Sequence, residues 1–236
     1  DPEGQAYFSR KHYLSIARFS DEANPVFSAP INIPGRLEHV YANDDGGTVL
    51  FTASDILGDE ANGWRNDLRM QASVFDGEKA FLVGEVTLPN GLYTALAFQG
   101  RFFYTPTPWD AKEHGLQVYS WDVDNQFTKL ALVKTGGEIP YQLSIATQPN
   151  LLFSVRNQII DVIDIQDPES GLPIASYKQP LYTGVENVHA LDREVAWLPA
   201  GLYGLESLDL TLLPPRVLAQ EDASEVGRWT VTEINL

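Results

Sequence analysis

The sequence predicts an all-β chain assembled from repeated four-stranded units, and three observations carry that prediction. A short aromatic-centred strand recurs as Tyr7-Phe8-Ser9-Arg10, Leu50-Phe51-Thr52-Ala53, Phe103-Tyr104-Thr105-Pro106, Leu152-Phe153-Ser154-Val155 and Ala196-Trp197-Leu198-Pro199. Its large aromatics at 8, 51, 104, 153 and 197 lie 43, 53, 49 and 44 residues apart, the spacing left by one supersecondary unit carrying loops of different length. A second strand-like run follows each of these, at Leu14 to Phe19, Gln71 to Asp76, Gln117 to Asp122, Ile159 to Asp164 and Gly204 to Asp209. Its closing aspartates, Asp76, Asp122, Asp164 and Asp209, keep the same period at 46, 42 and 45. Composition is the third observation. Hydrophobic residues make up 44% and aromatics 11%, 18 Gly and 15 Pro punctuate short runs, and no helical periodicity appears. Together these predict a β-propeller of about five four-stranded blades in a single domain over residues 1–236.

In chain order, residues 6–10, 12–20 and 25–33 read as strands b, c and d of a blade that lacks its strand a. The first complete blade uses Leu37 to Asn43, Thr48 to Ser54, Arg69 to Asp76 and Phe81 to Leu88. The second uses Leu92 to Gln99, Arg101 to Thr107, Gln117 to Asp124 and Phe127 to Lys134. The third uses Pro140 to Thr147, Leu151 to Val155, Gln158 to Ile165 and Pro173 to Lys178. The fourth uses Glu186 to Leu191, Glu194 to Pro199, Tyr203 to Leu210 and Arg216 to Gln220. Some strands alternate polar and apolar residues and others are continuously hydrophobic, as expected where stacked blades bury both faces. Arg228 to Ile234 is a lone strand of high β-propensity. Pairing it with the three N-terminal strands makes a composite fifth blade and closes the ring. The rival is a fragment of a larger propeller completed by another chain or segment. Each closing aspartate is expected to accept backbone N–H bonds in its turn. Asn43-Asp44-Asp45 and Asp122-Val123-Asp124-Asn125 are oxygen-rich but match no full EF-hand loop, so hairpin turns are expected there too.

Charge and residue usage exclude several classes. A net charge of -16, with 16 basic against 32 acidic residues, leaves no basic surface for nucleic acid. The absence of cysteine excludes disulfides, thiolate metal sites and a Cys nucleophile. No apolar run reaches the roughly 18 residues of a membrane span. The chain begins at Asp1 rather than Met, as in a processed or trimmed product, and with its acidity and β architecture this leads to the expectation of a secreted or cell-surface protein.

Residues Gln158-Ile159-Ile160-Asp161-Val162-Ile163-Asp164-Ile165-Gln166-Asp167-Pro168, followed by Leu172-Pro173-Ile174-Ala175-Ser176-Tyr177, resemble the LVIVD-type repeat of bacterial surface propellers. The shared pattern is a Val/Ile-rich strand, an Asp-Pro turn and a strand ending in an aromatic. Tyr13 to Gly35 is similar but looser, and the resemblance covers about two blades. It implies a propeller in an extracellular setting and carries over no catalytic residues.

Propeller topology puts the b–c loops and the d–a loops on one face. The two longest b–c loops are Asp55 to Leu68 and Pro106 to Gly115. They carry Asp59, Trp64, Arg65 and Asp67, and Trp109, Asp110, Glu113 and His114. Trp beside charged residues on long loops of a rigid scaffold is where binding concentrates. The expected partner is a protein or a carbohydrate-like, polar or cationic ligand, with Trp64 and Trp109 as platforms and Asp59, Asp67, Asp110 and Glu113 as a polar rim. The d–a loops would bring Glu38, His39, Tyr93, Glu138, Tyr141, Glu186 and His189 to the channel mouth. Imidazoles and carboxylates from separate blades could hold a divalent metal or serve as acid and base, but no ligand spacing is present and no cofactor is indicated. The residues leave two readings open: a non-catalytic interaction module, or a hydrolase with its site at that mouth, either metal-dependent or a five-bladed glycoside hydrolase. For the latter, Asp1-Pro2, Tyr7, Tyr13-Leu14 and Ser54-Asp55 with Trp64 are faintly similar to elements of such enzymes, though no acid Glu stands out.

Overall fold

The computed structural model describes residues 12–18, 23–24, 26–27, 29–43, 46–60, 64, 66–89, 95–122, 124, 126–135, 139–146, 150–156, 159–178, 188–190, 194–199, 204–211 and 216–221. The strands expected at 6–10 and 228–234 lie outside them. Twenty strands and no helix are found among the described residues, so none of these forms a helix long and apolar enough to cross a membrane.

The chain clusters into two units, residues 1–92 with 121–127, and residues 93–120 with 128–236. The first unit opens with a two-part antiparallel ribbon. Strand β1 (His12–Leu14) pairs with β4 (Ile31–Ile33), and β2 (Ala17–Arg18) pairs with β3 (Val26–Phe27). These are the expected c and d runs, broken where residues 15–16 and 29–30 leave the ladder. A four-stranded meander follows, in the order β5 (Arg36–Ala42), β6 (Thr48–Ile56), β7 (Asp67–Phe75) and β8 (Ala80–Leu88). Gly35 admits no side chain at the entry to β5, because a Cβ would stand 2.3 Å from the Ala53 carbonyl oxygen.

The second unit is built on three further meanders: β9 (Ala97–Gln99) to β12 (Phe127–Lys134) through β10 (Phe102–Pro106) and β11 (Gly115–Trp121); β13 (Gln142–Ala146), β14 (Leu151–Arg156), β15 (Ile159–Asp164) and β16 (Leu172–Lys178); and β17 (His189–Ala190), β18 (Val195–Pro199), β19 (Leu205–Asp209) and β20 (Arg216–Glu221). Strand β13 lies beside both β9 and β17, so the first strands of the three sheets are neighbours. Each complete blade expected from the sequence is present, with described ends shifted by a few residues; Glu186, Asn187 and Leu191 of the expected fourth-blade strand lie outside the described residues.

The recurring aromatic has a physical role. Phe51, Tyr104 and Phe153 occupy the same place on the second strand of their sheets, opposite Ala72, Val118 and Val162, and all are buried. Tyr104 and Phe153 each fill the gap to the next sheet of the second unit, and Phe51 packs within the first. Phe51 meets Trp121 edge-on at 6.4 Å and Phe127 at 6.0 Å. Tyr104 joins a cluster with Leu152, Ile163 and Ile165, and Phe153 one with Ala196, Leu198 and Leu208. Burial of such a ring contributes roughly 2–3 kcal/mol. Trp197 holds the equivalent position opposite Ser207 but is 40% exposed.

A second repeat was not legible beforehand. The outer strands β8, β16 and β20 each carry a bulge, and in all three the register shifts next to the residue facing that aromatic position: after Ala72, Val162 and Ser207. A bulge twists an outer strand and spoils it as a template for further pairing. Pro173 lies at one such shift on an outer strand, where a missing N–H is tolerated.

The closing aspartates take the expected turn role. Asp76 Oδ1 accepts from the amides of Glu78 (2.8 Å) and Lys79 (2.7 Å), Asp122 Oδ1 from those of Asp124 and Gln126 (both 3.1 Å), Asp164 Oδ1 from Gln166 (2.9 Å) and Asp209 Oδ1 from Thr211 (2.9 Å). The two amide bonds pull the Asp76 carboxyl below its ordinary 3.8.

Candidate functional site

The loop between β6 and β7 spans residues 57–66, shorter than expected because Asp55 and Ile56 still pair with Leu68 and Asp67. Asn66 Oδ1 accepts the Gly58 amide at 2.9 Å and the Asp59 carbonyl accepts the Trp64 amide at 2.7 Å, which ties the two sides of the loop together. A Cβ on Gly58 would stand 2.6 Å from the Trp64 backbone, so only glycine allows this approach. Trp64 adopts φ 61, in the left-handed region, and its side chain is 73% exposed. That conformation costs a non-glycine residue about 1–2 kcal/mol, and the exposed ring returns little by burial. Leu57 is 70% exposed in the same loop, and Asp55, Asp59 and Glu60 are exposed beside it.

Asp67 departs from the expectation. Placed on the polar rim from the sequence, it is the first residue of β7, pairs with Ile56 and is only 5% exposed. The ladder runs further than turn residues would indicate, and carries the carboxylate inward. Arg65 lies outside the described residues.

The loop between β10 and β11, residues 107–114, belongs to the second unit. The Thr107 amide donates to the Gly115 carbonyl at 2.9 Å, and Thr107 Oγ1 accepts the Gly115 amide at 3.2 Å. A turn follows, closed by the Ala111 amide on the Pro108 carbonyl at 3.0 Å. It lifts Trp109 to 72% exposure with Asp110 exposed beside it. Glu113 meets Lys134 at 3.3 Å, an exposed pair of small worth. His114 is half-buried, and its Nδ1 has no hydrogen-bond partner among the described residues.

Of the residues expected at the channel mouth, Glu38, His39, Tyr141 and His189 are described. Tyr93, Glu138 and Glu186 lie outside the described residues. Glu38 sits at a bulge in β5 and accepts Arg36 Nε at 2.6 Å. His39 stacks on Phe51, with centroids 6.1 Å apart and planes 14° apart, which is a packing role. Burial pushes the Tyr141 hydroxyl up. His189 is half-buried in β17 opposite Trp197, with its Nε2 unpartnered among the described residues. Among the described residues no group of three or more His, Asp or Glu is arranged to hold a metal.

A polar row, buried except at Gln117, was missed from the sequence. Thr52, Thr105, Ser154 and Leu198, each following the recurring aromatic, face Gln71, Gln117, Asp161 and Glu206. Each of these last four has a partner: Ser54 donates to Gln71 at 2.7 Å, Tyr119 to Gln117 at 2.8 Å and Tyr177 to Glu206 at 3.4 Å, while Arg156 and Ser176 both donate to Asp161. Arg156 Nε reaches Asp161 Oδ2 at 2.8 Å with both side chains under 10% exposed. Four polar residues across from the phrase position were the available signal, but reading it required the strand register.

No protein-family model matches the chain, and no curated protein does. Among solved structures it is similar to the periplasmic gluconolactonase PpgL of Pseudomonas aeruginosa, with TM-score 0.58 and 15% identity over 89% of this chain and 64% of that one. It is also similar to Sqt1 of Saccharomyces cerevisiae, with TM-score 0.52 and 12% identity over 86% of this chain and 55% of that one. The chain spans less than two thirds of either neighbour's length. At such identities the likeness concerns architecture: the chain is an all-β protein of the β-propeller kind, with about five blades.

Proposed function

We propose that this chain is a non-catalytic interaction module of an exported bacterial protein, engaging its partner through tryptophan-bearing loops. The observation that carries this reading is the exposure of Trp64 at 73% and Trp109 at 72%, each on a loop whose neck is closed by hydrogen bonds. Tryptophan is ordinarily well buried, and it is enriched where a surface is covered by a partner. Rigid necks lower the ordering cost of binding at each loop. The LVIVD-type resemblance of residues 158–177 supports the exported setting, and one structural neighbour is itself described as periplasmic.

Trp64→Ala and Trp109→Ala, made singly and together, test the proposal. Immobilised protein is exposed to envelope extracts and to a polysaccharide panel, with lactone, glycoside and phosphoester turnover assayed in parallel. Loss of captured ligand in one or both variants, with unchanged melting temperature, is expected. Unchanged capture by the double variant overturns the proposal. Turnover that survives in the double variant favours instead the hydrolase reading at the channel mouth.

A further inference from the structure

Resting on that reading, the geometry points to residues 57–60 and Trp64 as a docking site for an arginine-bearing segment of a partner protein, with the guanidinium over the Trp64 indole. Trp64 is held with a left-handed backbone and its ring in solvent, so neither local conformation nor the core accounts for the choice of tryptophan at this position. An external contact does. The chemistry of that contact follows from the neighbours: Leu57 is 70% exposed, and Asp55, Asp59 and Glu60 are exposed in the same segment. From Asp55 to Arg65 the sequence carries three acids against the one base Arg65, on a chain of net charge -16. Arginine matches each feature, because its planar cation stacks on an indole and donates in a fork to carboxylates, while its aliphatic stem packs on an apolar side chain.

The test titrates the full chain with a glycine-spaced arginine peptide, an isosteric citrulline peptide and a neutral oligosaccharide, following tryptophan fluorescence and calorimetric heat. The arginine peptide is expected to bind at least tenfold more tightly than the citrulline peptide, to weaken as salt is raised, and to lose at least tenfold in affinity in Trp64→Ala and in the Asp59→Asn, Glu60→Gln variant. Equal binding of the arginine and citrulline peptides, or retention by Trp64→Ala, overturns the inference. Binding of the oligosaccharide alone, abolished in Trp64→Ala, also overturns it while leaving the interaction module standing. Should Trp64→Ala misfold by circular dichroism, Trp64→Phe is read in its place, with weaker but measurable arginine selectivity expected.

Discussion

At the scale of single residues, Trp64 and Asp161 illustrate opposite uses of an unfavourable placement. Trp64 occupies a backbone conformation suited to glycine or asparagine and leaves its ring in water. Trp64→Gly should therefore leave stability unchanged or raise it by up to about 1 kcal/mol, since relieving left-handed strain offsets the greater freedom of the unfolded glycine. Equilibrium denaturation checks this, and a clear loss of stability would show that the ring packs on the fold. Asp161 is buried with Arg156 and is worth keeping only as a pair. Asp161→Ala strands a buried guanidinium and is expected to cost about 3–5 kcal/mol, whereas Arg156→Met with Asp161→Leu should recover most of that loss. A single variant as stable as the double one would contradict the buried pair.

At the scale of elements, the hairpin turn after β7 shows how a sequence landmark becomes a local energy term. Asp76 is fully exposed, yet the amides of Glu78 and Lys79 converge on one of its carboxylate oxygens. They favour the charged form and lower its pKa below the ordinary 3.8. The stabilisation is therefore fully present above 3.8 and is lost as pH falls through the lowered folded value. Hydrogen exchange should show the Glu78 and Lys79 amides protected near neutrality and less so in acid, and Asp76→Ala should abolish their protection at every pH. This turn was legible because an aspartate acts within three residues of itself. The equivalent bulges in β8, β16 and β20 were not, because a bulge is a relation between two strands and leaves no fixed residue behind.

At the scale of the whole molecule, the sheets of the second unit are joined by a buried polar contact as well as by rings. Tyr177 in β16 donates to Glu206 in β19, and its hydroxyl is pushed up to about 12, first by burial and then by the Glu206 charge. Burial also pushes Tyr104 up. For Tyr177 the neutral form is the one the fold holds, so its contribution is complete below the ordinary 10.0 and disappears as pH rises toward 12. Alkaline unfolding between those values should therefore be followed by a step in tyrosinate absorbance. Tyr177→Phe should flatten that pH dependence while lowering stability near neutrality by about 1 kcal/mol. Unfolding with the same alkaline profile in this variant would assign the effect to other tyrosines.

Periodicity, turn aspartates and recurring aromatics determined that the chain forms four-stranded β units of this length, because hydrophobic alternation and turn chemistry act over a few neighbouring residues. The two tryptophan loops were legible for the same reason, as long polar interruptions between apolar runs. Burial was decided only in three dimensions. Asp67 looked like a loop acid and is covered by the sheet; Trp197 shares its register with Phe51, Tyr104 and Phe153 yet is far more exposed. Whether a side chain is covered depends on residues tens of positions away that pack against it, and the partners Arg156, Gln71 and Glu206 acquire are likewise set by register and stacking. Local sequence therefore determined the units and their turns, while tertiary packing decided which of their side chains face water and are open to a partner.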